Sequence, residues 1–304
     1  MKKVFLIKSD YVNSRLDRWI RRNISDVPQS LIEKNIRKGN IKVNRKKRKS
    51  SYKLLLNDEI SFFNINFKVK KKLNNKPEYK ATKRDLSASS GMFVENNINF
   101  VVINKPAGIA VQSGTKSRRN ILDIIKSTKE FEGFKPFTVH RIDKETTGAL
   151  IIAKNRKYAQ LFTSLFRIRK IYKTYLAITL GEFKNNKDTL IDDLIFYEGK
   201  KLVKAKAITH YKVLDSNSKY SFIRLNPETG RKHQLRKQLL MHGHPVLGDS
   251  KYRIKDLNNR KDNNLMLHAY NLKFKINDIK HDYYADLPSS FIKTLKEKYL
   301  KNFL

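Results

Sequence analysis

The sequence predicts an α+β protein in two parts. A small domain spans residues 1–70 and a larger one spans 91–304, joined by a basic linker over 71–90; the larger part carries a mainly antiparallel β-sheet flanked by helices. Three observations support this. Short stretches of helical apolar spacing alternate with strand-like runs near the N-terminus. After residue 90, β-rich runs bounded by Gly, Pro or Asn recur with isolated helical stretches between them. The chain, at 304 residues and 39% hydrophobic content, is long enough to bury a core in each part.

Taken in order, Ser14 to Arg22 (SRLDRWIRR) sets Leu16, Trp19 and Ile20 at helical spacing behind a capping serine, with arginine over most of the other face. Pro28 to Lys38 (PQSLIEKNIRK) reads as a second helix, with Pro at its start and Gly39 as its stop. IKVN follows as a short strand, then the basic run RKKRKSSYKL, the polar turn Asn57-Asp58 and the strand EISFF. From Lys70 to about Ser90 the text is polar and nearly free of periodicity, hence the linker. Beyond it, NINFVVINKPAGIAV, GALIIAKN, KTYLAITLGEF, AITHYKVL and KYSFIRLNPETG read as β-rich. Helices are expected at Asn120 to Lys126, Arg156 to Ile168, Arg231 to His242 and Ser290 to Leu300.

Composition narrows the chemistry. With no cysteine, disulfides, thiolate metal sites and a cysteine nucleophile are excluded, which fits a reducing cytoplasm. No run of eighteen apolar residues points to a membrane span. The formal net charge is +38, from 66 basic and 28 acidic side chains, and the first 85 residues are about twice as basic per residue as the rest. A polyanionic partner accounts for that excess, and so does a compositional bias toward Lys, Asn and Ile; the uneven placement favours the partner. Two small helices and a short β-ribbon with Lys and Arg outward make a compact RNA-binding design, since phosphate contacts need little more than presented cations.

Familiar catalytic signatures are missing: no Walker loop, no G-x-G-x-x-G, no G-x-S-x-G and no H-E-x-x-H. His233, His242, His244 and Asp249 cluster in the sequence, but Arg231, Lys232, Arg236 and Lys237 among them would repel a cation, so no metal is expected. What stands out is Val139 to Asn155, VHRIDKETTGALIIAKN, with one acid, Asp143, between His140-Arg141 and a buried strand. Asp143 reads either as a turn aspartate or as a carboxylate kept ionised by an arginine, able to act as a nucleophile or base without a cofactor.

The N-terminal segments SRLDRWI, PQSLIEKNIRKGNIKVN and LNDEI resemble an S4 domain, a small RNA-binding module. HRIDKETTGALIIAKN resembles the signature segment of the RluA family of pseudouridine synthases. Three further blocks stand in that family's order: NKPAGIAVQSG, KTYLAITLGEF and NPETGRKHQLRKQLLMHGHPVLGDSKY. The arrangement is similar to the RluC type, which acts on large-subunit ribosomal RNA. The resemblance implies the pseudouridine synthase fold, catalysis by Asp143, Tyr175 and Arg236, and no cofactor. Asp143 would attack the uracil ring or the sugar C1′. Arg141 would fill the gap left by the flipped base, Tyr175 would lie against that base and assist proton removal, and Arg236 would pair with Asp143. His140, Lys173 and Arg231, together with Arg15, Arg18, Arg22, Lys38 and Arg45 of the first domain, are the expected RNA contacts. Gln112, Lys237 and Gln238 depart from the family's pattern without touching the catalytic set. A cytoplasmic monomer acting on large-subunit ribosomal RNA is the resulting expectation, with transfer RNA as an alternative substrate and a non-catalytic RNA-binding assembly factor as an alternative role.

Overall fold

A computed structural model describes residues 2–8, 11–24, 28–65, 79–113, 119–198, 201–254 and 264–301. The chain divides into two compact units, Met1–Pro77 and Glu78–Leu304.

The first unit holds β1 (Lys2–Leu6), α1 (Leu16–Asn23), α2 (Gln29–Lys38), β2 (Ile41–Val43) and β3 (Glu59–Phe63). The strands form an antiparallel sheet in the order β1-β3-β2. Leu16, Trp19 and Ile20 of α1 meet Ile32 and Ile36 of α2 and Ile60 and Phe62 of β3 in one buried cluster. α1 begins one residue later than a serine cap would place it. Arg15 is the N-cap, because Ser14 is drawn into backbone pairing with Leu54 and Tyr11. α2 ends at Gly39, which takes φ 78° while the Asn40 N–H reaches back to the Asn35 carbonyl, a left-handed cap that suits glycine. β1 was not apparent in the sequence: its outward Val4 and Leu6 are exposed, and only Phe5 between them turns inward, onto Trp19 and Phe62.

The second unit is built on one mixed sheet. Its strands are β4 (Phe93–Asn96), β5 (Phe100–Lys105), β6 (Phe137–Thr138), β7 (Thr147–Ala153), β8 (Tyr172–Leu180), β9 (Lys187–Glu198), β10 (Lys201–Ser216), β11 (Tyr220–Pro227), β12 (Leu267–Ile276) and β13 (Ile279–Tyr284). The order is β4-β5-β7-β12-β8-β11-β10-β9, with β6 beside β7 and β13 beside β12. Every pairing is antiparallel except β7 with β12. Its helices are α3 (Lys83–Ser89), α4 (Ile121–Ile125), α5 (Arg156–Arg167), α6 (Gln234–Met241) and α7 (Ser289–Glu297).

β7 is buried at every residue because both faces of the sheet are covered there. Leu150 and Ile152 face Ile121, Ile124 and Ile125 of α4, whereas Ala149, Ile151 and Ala153 face the layer that holds Phe162 of α5. At the other end of the sheet, Leu176, Ile178, Phe222 and Leu225 pack under Leu235 and Leu239 of α6 and Phe291 and Leu295 of α7.

Residues 83–89, read from the sequence as linker, are the helix α3. Its buried residues are Asp85 and Ser89, so no apolar stripe announces it. Polar bonds hold it instead: Thr82 and Asp85 form a capping box, Tyr79 Oη donates to Asp85 at 2.6 Å, and Arg119 forms an ion pair with the same carboxylate. Burial opposes the Asp85 charge, but these donors outweigh it and hold the carboxyl well below the usual range. Residues 71–78 of the expected linker lie outside the described residues.

Candidate active site

Asp143 sits on the loop between β6 and β7, and four devices fix that loop and the start of β7. The fully buried Lys105, at the end of β5, donates Nζ bonds to the carbonyls of Pro106 (2.7 Å), Ile109 (3.0 Å) and Lys144 (3.0 Å), tying the residue after Asp143 to the neighbouring NKPAGI turn. His140 accepts a bond on Nε2 from the Ile151 N–H at 2.8 Å and stacks on Phe166 with ring centres 4.4 Å apart. Gly148, with φ 106°, allows β7 to press against β12, where any Cβ would run into the Ala269 carbonyl. Thr147, just before it, bonds through Oγ1 to Nδ1 of the buried His268 at 2.8 Å.

This loop forms one wall of a cleft of about 910 Å³. Asp143, 27% exposed, receives the Arg236 Nη1–H on Oδ2 at 3.0 Å. The arginine comes from α6, ninety-three residues along the chain. It is itself gripped from behind: Nε and Nη2 donate to the two oxygens of Asp249 at 2.6 and 2.7 Å, a bidentate pair in which the side chains are 8% and 1% exposed. Burial opposes the Arg236 charge, but the bonds to Asp249 and Asp143 prevail and raise its pKa above that of an ordinary arginine. Asp249 also accepts the backbone N–H groups of Lys251 and Tyr252, each at 2.9 Å, and is held below the usual carboxylate range despite its burial. Asp249 thus fixes the guanidinium that meets Asp143.

Tyr175, on β8, lines the same cleft while its ring packs between two apolar clusters. Burial, and then the charge of Asp143, push its phenol well up, so it stands there as a neutral hydroxyl. Arg141, Arg167, Arg169, Lys173, Arg231 and Lys232 also line the cleft. The Lys173 pKa is lowered by burial and by the charge of Arg169, a sign of cations crowded together.

The sequence-derived set therefore divides. Asp143, Tyr175, Arg236, Arg141, His140, Lys173 and Arg231 converge on one cleft. His140, which also lines the cleft, has a structural part there. Burial and the Lys173 charge push its pKa to about 3, and with Nε2 spent on Ile151 the uncharged ring props the loop. In the first unit Arg18, Arg22, Lys38 and Arg45 are exposed, whereas Arg15 is committed to Asp17 through bonds of 3.1 and 2.7 Å, so it is a structural partner before it is an RNA contact.

Asp249 and Lys105 were missed as parts of the site. Asp249 was weighed only as a metal ligand, and Lys105 stands inside the NKPAGI block with no charge partner nearby in sequence. His233 was also weighed for a metal. It lies at the cleft near Asp143, while His242 pairs with Asp192 and His244 stacks on Phe183. Two departures from the family pattern lie outside the cleft lining: Gln238 is buried, bonded to Thr209 and Asp192, and Lys237 reaches the Ile195 carbonyl. Gln112 lines the cleft and accepts a long bond from Thr138 at 3.4 Å.

Residues 99–241 match the model of the family described as RNA pseudouridylate synthase. The ribosomal large subunit pseudouridine synthase C of Buchnera aphidicola subsp. Schizaphis graminum is 30% identical over 284 residues, 89% of this chain and 88% of its own. The protein of the same name from Escherichia coli is 27% identical over 90% of this chain and 88% of its own. Among solved structures, human RNA pseudouridylate synthase domain containing 4 superposes with a TM-score of 0.62 at 26% identity, covering 71% of this chain and 96% of that one. Human RNA pseudouridylate synthase domain containing 1 shares the fold, with a TM-score of 0.52 at 22% identity over 69% of this chain and 95% of that one. Likeness that runs through nearly nine-tenths of both chains is a family relationship, and the chain belongs to the RluA family of RNA pseudouridine synthases.

Proposed function

We propose that this enzyme isomerises uridines of large-subunit ribosomal RNA, with Asp143 as the reacting carboxylate. The observation that carries the proposal is the meeting of Asp143 with the clamped Arg236 in a cleft that also presents Tyr175. The reaction detaches a base, turns it and reattaches it through carbon. It calls for a closed pocket and one nucleophile, and no redox carrier, metal or nucleotide enters its balance. The target uridine flips into the cleft, its ring against Tyr175, while Asp143 attacks the ring or C1′. Tyr175 enters as a neutral phenol and lies against the ring, where its hydroxyl can assist by hydrogen bonding as the C5 proton leaves, after C5 has joined C1′ and Asp143 has been released.

Arg141 fills the vacated stack, and Arg167, Arg169 and Lys173 receive flanking phosphates, which relieves their mutual repulsion. The first unit serves as an S4-like grip on RNA through Arg18, Arg22, Lys38 and Arg45. One chain supplies both functions, so a cytoplasmic monomer suffices. The choice of large-subunit RNA rests on the names of the relatives. Mapping pseudouridine by carbodiimide-dependent reverse-transcription stops, in ribosomal and transfer RNA from cells with and without the gene, tests it. Stops lost from a few large-subunit positions and restored by the gene are expected. Loss confined to transfer RNA would overturn the substrate.

A further inference from the structure

Arg236 occupies one oxygen of Asp143; the other faces His233. The backbone there is unusual. His233 holds φ 54°, left-handed for a residue that is not glycine, and is the N-cap of α6, so that helix starts at Gln234 although the sequence pattern begins at Arg231. Such a conformation is costly and persists where the surroundings impose it. Its effect is to bring the imidazole to the cleft, with Nε2 3.7 Å from Oδ1 of Asp143. The other ring nitrogen, Nδ1, lies 2.8 Å from the hydroxyl of Tyr252. The Tyr252 ring also sits beneath Arg236, 5.0 Å from Cζ, and its backbone N–H is held by Asp249. One short segment, Asp249 to Tyr252, thus fixes the groups on both sides of the Asp143 carboxylate.

We infer that His233 is a positioning residue of the isomerisation: held by Tyr252, it presents an Nε2–H to the Asp143 oxygen that Arg236 leaves open. The inference rests on the reading of Asp143 as the reacting carboxylate. The tautomer follows from the two contacts. If Nδ1 carried the proton, the Nε2 lone pair would face a carboxylate oxygen, acceptor against acceptor. With the proton on Nε2, Tyr252 donates to Nδ1 and both nitrogens are satisfied. The groups facing the ring are Asp143, Arg236, Tyr252, Lys251 and Lys232. Burial and the cationic neighbours outweigh Asp143 and lower the imidazole pKa, consistent with a neutral ring that has a single proton to place.

The two carboxylate oxygens are therefore unequal. Oδ2 carries a full charge-assisted bond, whereas Oδ1, among the described residues, faces a neutral donor beyond hydrogen-bond distance in the free protein and keeps its lone pairs for attack. When Oδ1 bonds to the substrate carbon, its charge passes to the uracil, on the base that leaves as C1′–N1 breaks if C1′ is attacked or on the ring enolate if the ring is attacked, and the Nε2–H is released. When that C–O bond breaks, the electron pair returns to Oδ1, and a movement of roughly 0.5 Å lets Nε2–H stabilise the returning charge. No proton is transferred at either stage. His233 favours departure of the carboxylate, so its effect falls on turnover rather than on RNA affinity.

The test uses the full chain, RNA tritiated at uridine C5, and tritium release as the readout, with RNA affinity and thermal stability measured in parallel. His233→Ala should lower kcat roughly tenfold or more with KM and RNA affinity little changed. His233→Gln, whose amide N–H can occupy the Nε2 position, should recover most of the rate. Tyr252→Phe should lower kcat by itself and add little to His233→Ala. Full activity of His233→Ala, or loss that Gln fails to rescue in a normally stable protein, would overturn the inference. If His233→Ala does not fold, nitrogen NMR of wild-type histidines decides: the Nε2–H tautomer at His233 is expected and the Nδ1–H tautomer refutes it. Asp143→Asn serves as a separate arm. Activity retained there would overturn the Asp143 reading, and this inference with it; a dead Asp143→Asn beside a fully active His233→Ala would remove only the inference.

Discussion

Removing Asp249 should destabilise the catalytic unit and disarm it together. The side chain is 1% exposed and accepts two bonds from Arg236, at 2.6 and 2.7 Å, and two backbone N–H bonds at 2.9 Å. In Asp249→Ala the guanidinium, 8% exposed, keeps a single described acid partner, Asp143 at 3.0 Å, and the two N–H groups lose their acceptor. Breaking a buried ion pair by deleting one partner costs about 3–5 kcal/mol. At roughly 2–4 °C per kcal/mol for a domain of this size, the melting temperature should fall by about 6–20 °C. Calorimetry on the full chain measures that fall, and tritium release well below the new transition measures activity. Activity should drop further than the folded fraction does, because Arg236 is no longer aimed. A variant that melts within about 2 °C of the wild type and keeps its rate would refute the reasoning that the clamp sets the site.

Two further outcomes follow from the same geometry. Arg167→Ala and Arg169→Ala should each reduce the slope of log affinity against log salt by roughly one, since each removes a cation that lines the cleft and is proposed to meet a phosphate; fluorescence anisotropy across a salt series reads this, and an unchanged slope removes those arginines from the RNA path. His268 is fully buried, and burial pushes its pKa down to about 4. Below the ordinary histidine pKa of about 6.5 the unfolded chain binds a proton that the folded one refuses, so stability is full above that value and falls as pH drops toward 4; at pH 5 the loss reaches about 2 kcal/mol. Urea midpoints at pH 7 and pH 5 should therefore differ more for wild type than for His268→Gln, and equal differences would show that His268 does not contribute.

Elements with an apolar period are legible in the sequence, and those held by polar bonds are not. α5 and β7 follow from spacing and an unbroken apolar run, whereas α3 hides because its buried residues are Asp85 and Ser89. The start of α6 was misplaced because a left-handed His233 leaves no mark in the residue pattern. In the site, the motif resemblance was enough to bring Asp143, Tyr175 and Arg236 into view. It did not reveal that Arg236 is clamped by Asp249, a pairing across thirteen residues that depends on the path of an irregular loop. The structural part of His140 is hidden for a related reason: only the fold shows its Nε2 turned to a backbone N–H of β7.

The most direct test of the central claim, that Asp143 is the group that reacts, is single-turnover tritium release from large-subunit RNA by Asp143→Asn, with RNA affinity measured on the same preparation. The exchange keeps the shape of the side chain and its acceptor toward Arg236 while removing the nucleophilic charge. Release abolished with affinity within a few-fold of wild type is the predicted result. Release at a rate close to wild type would contradict the account, and would shift the chemistry to another group in the cleft.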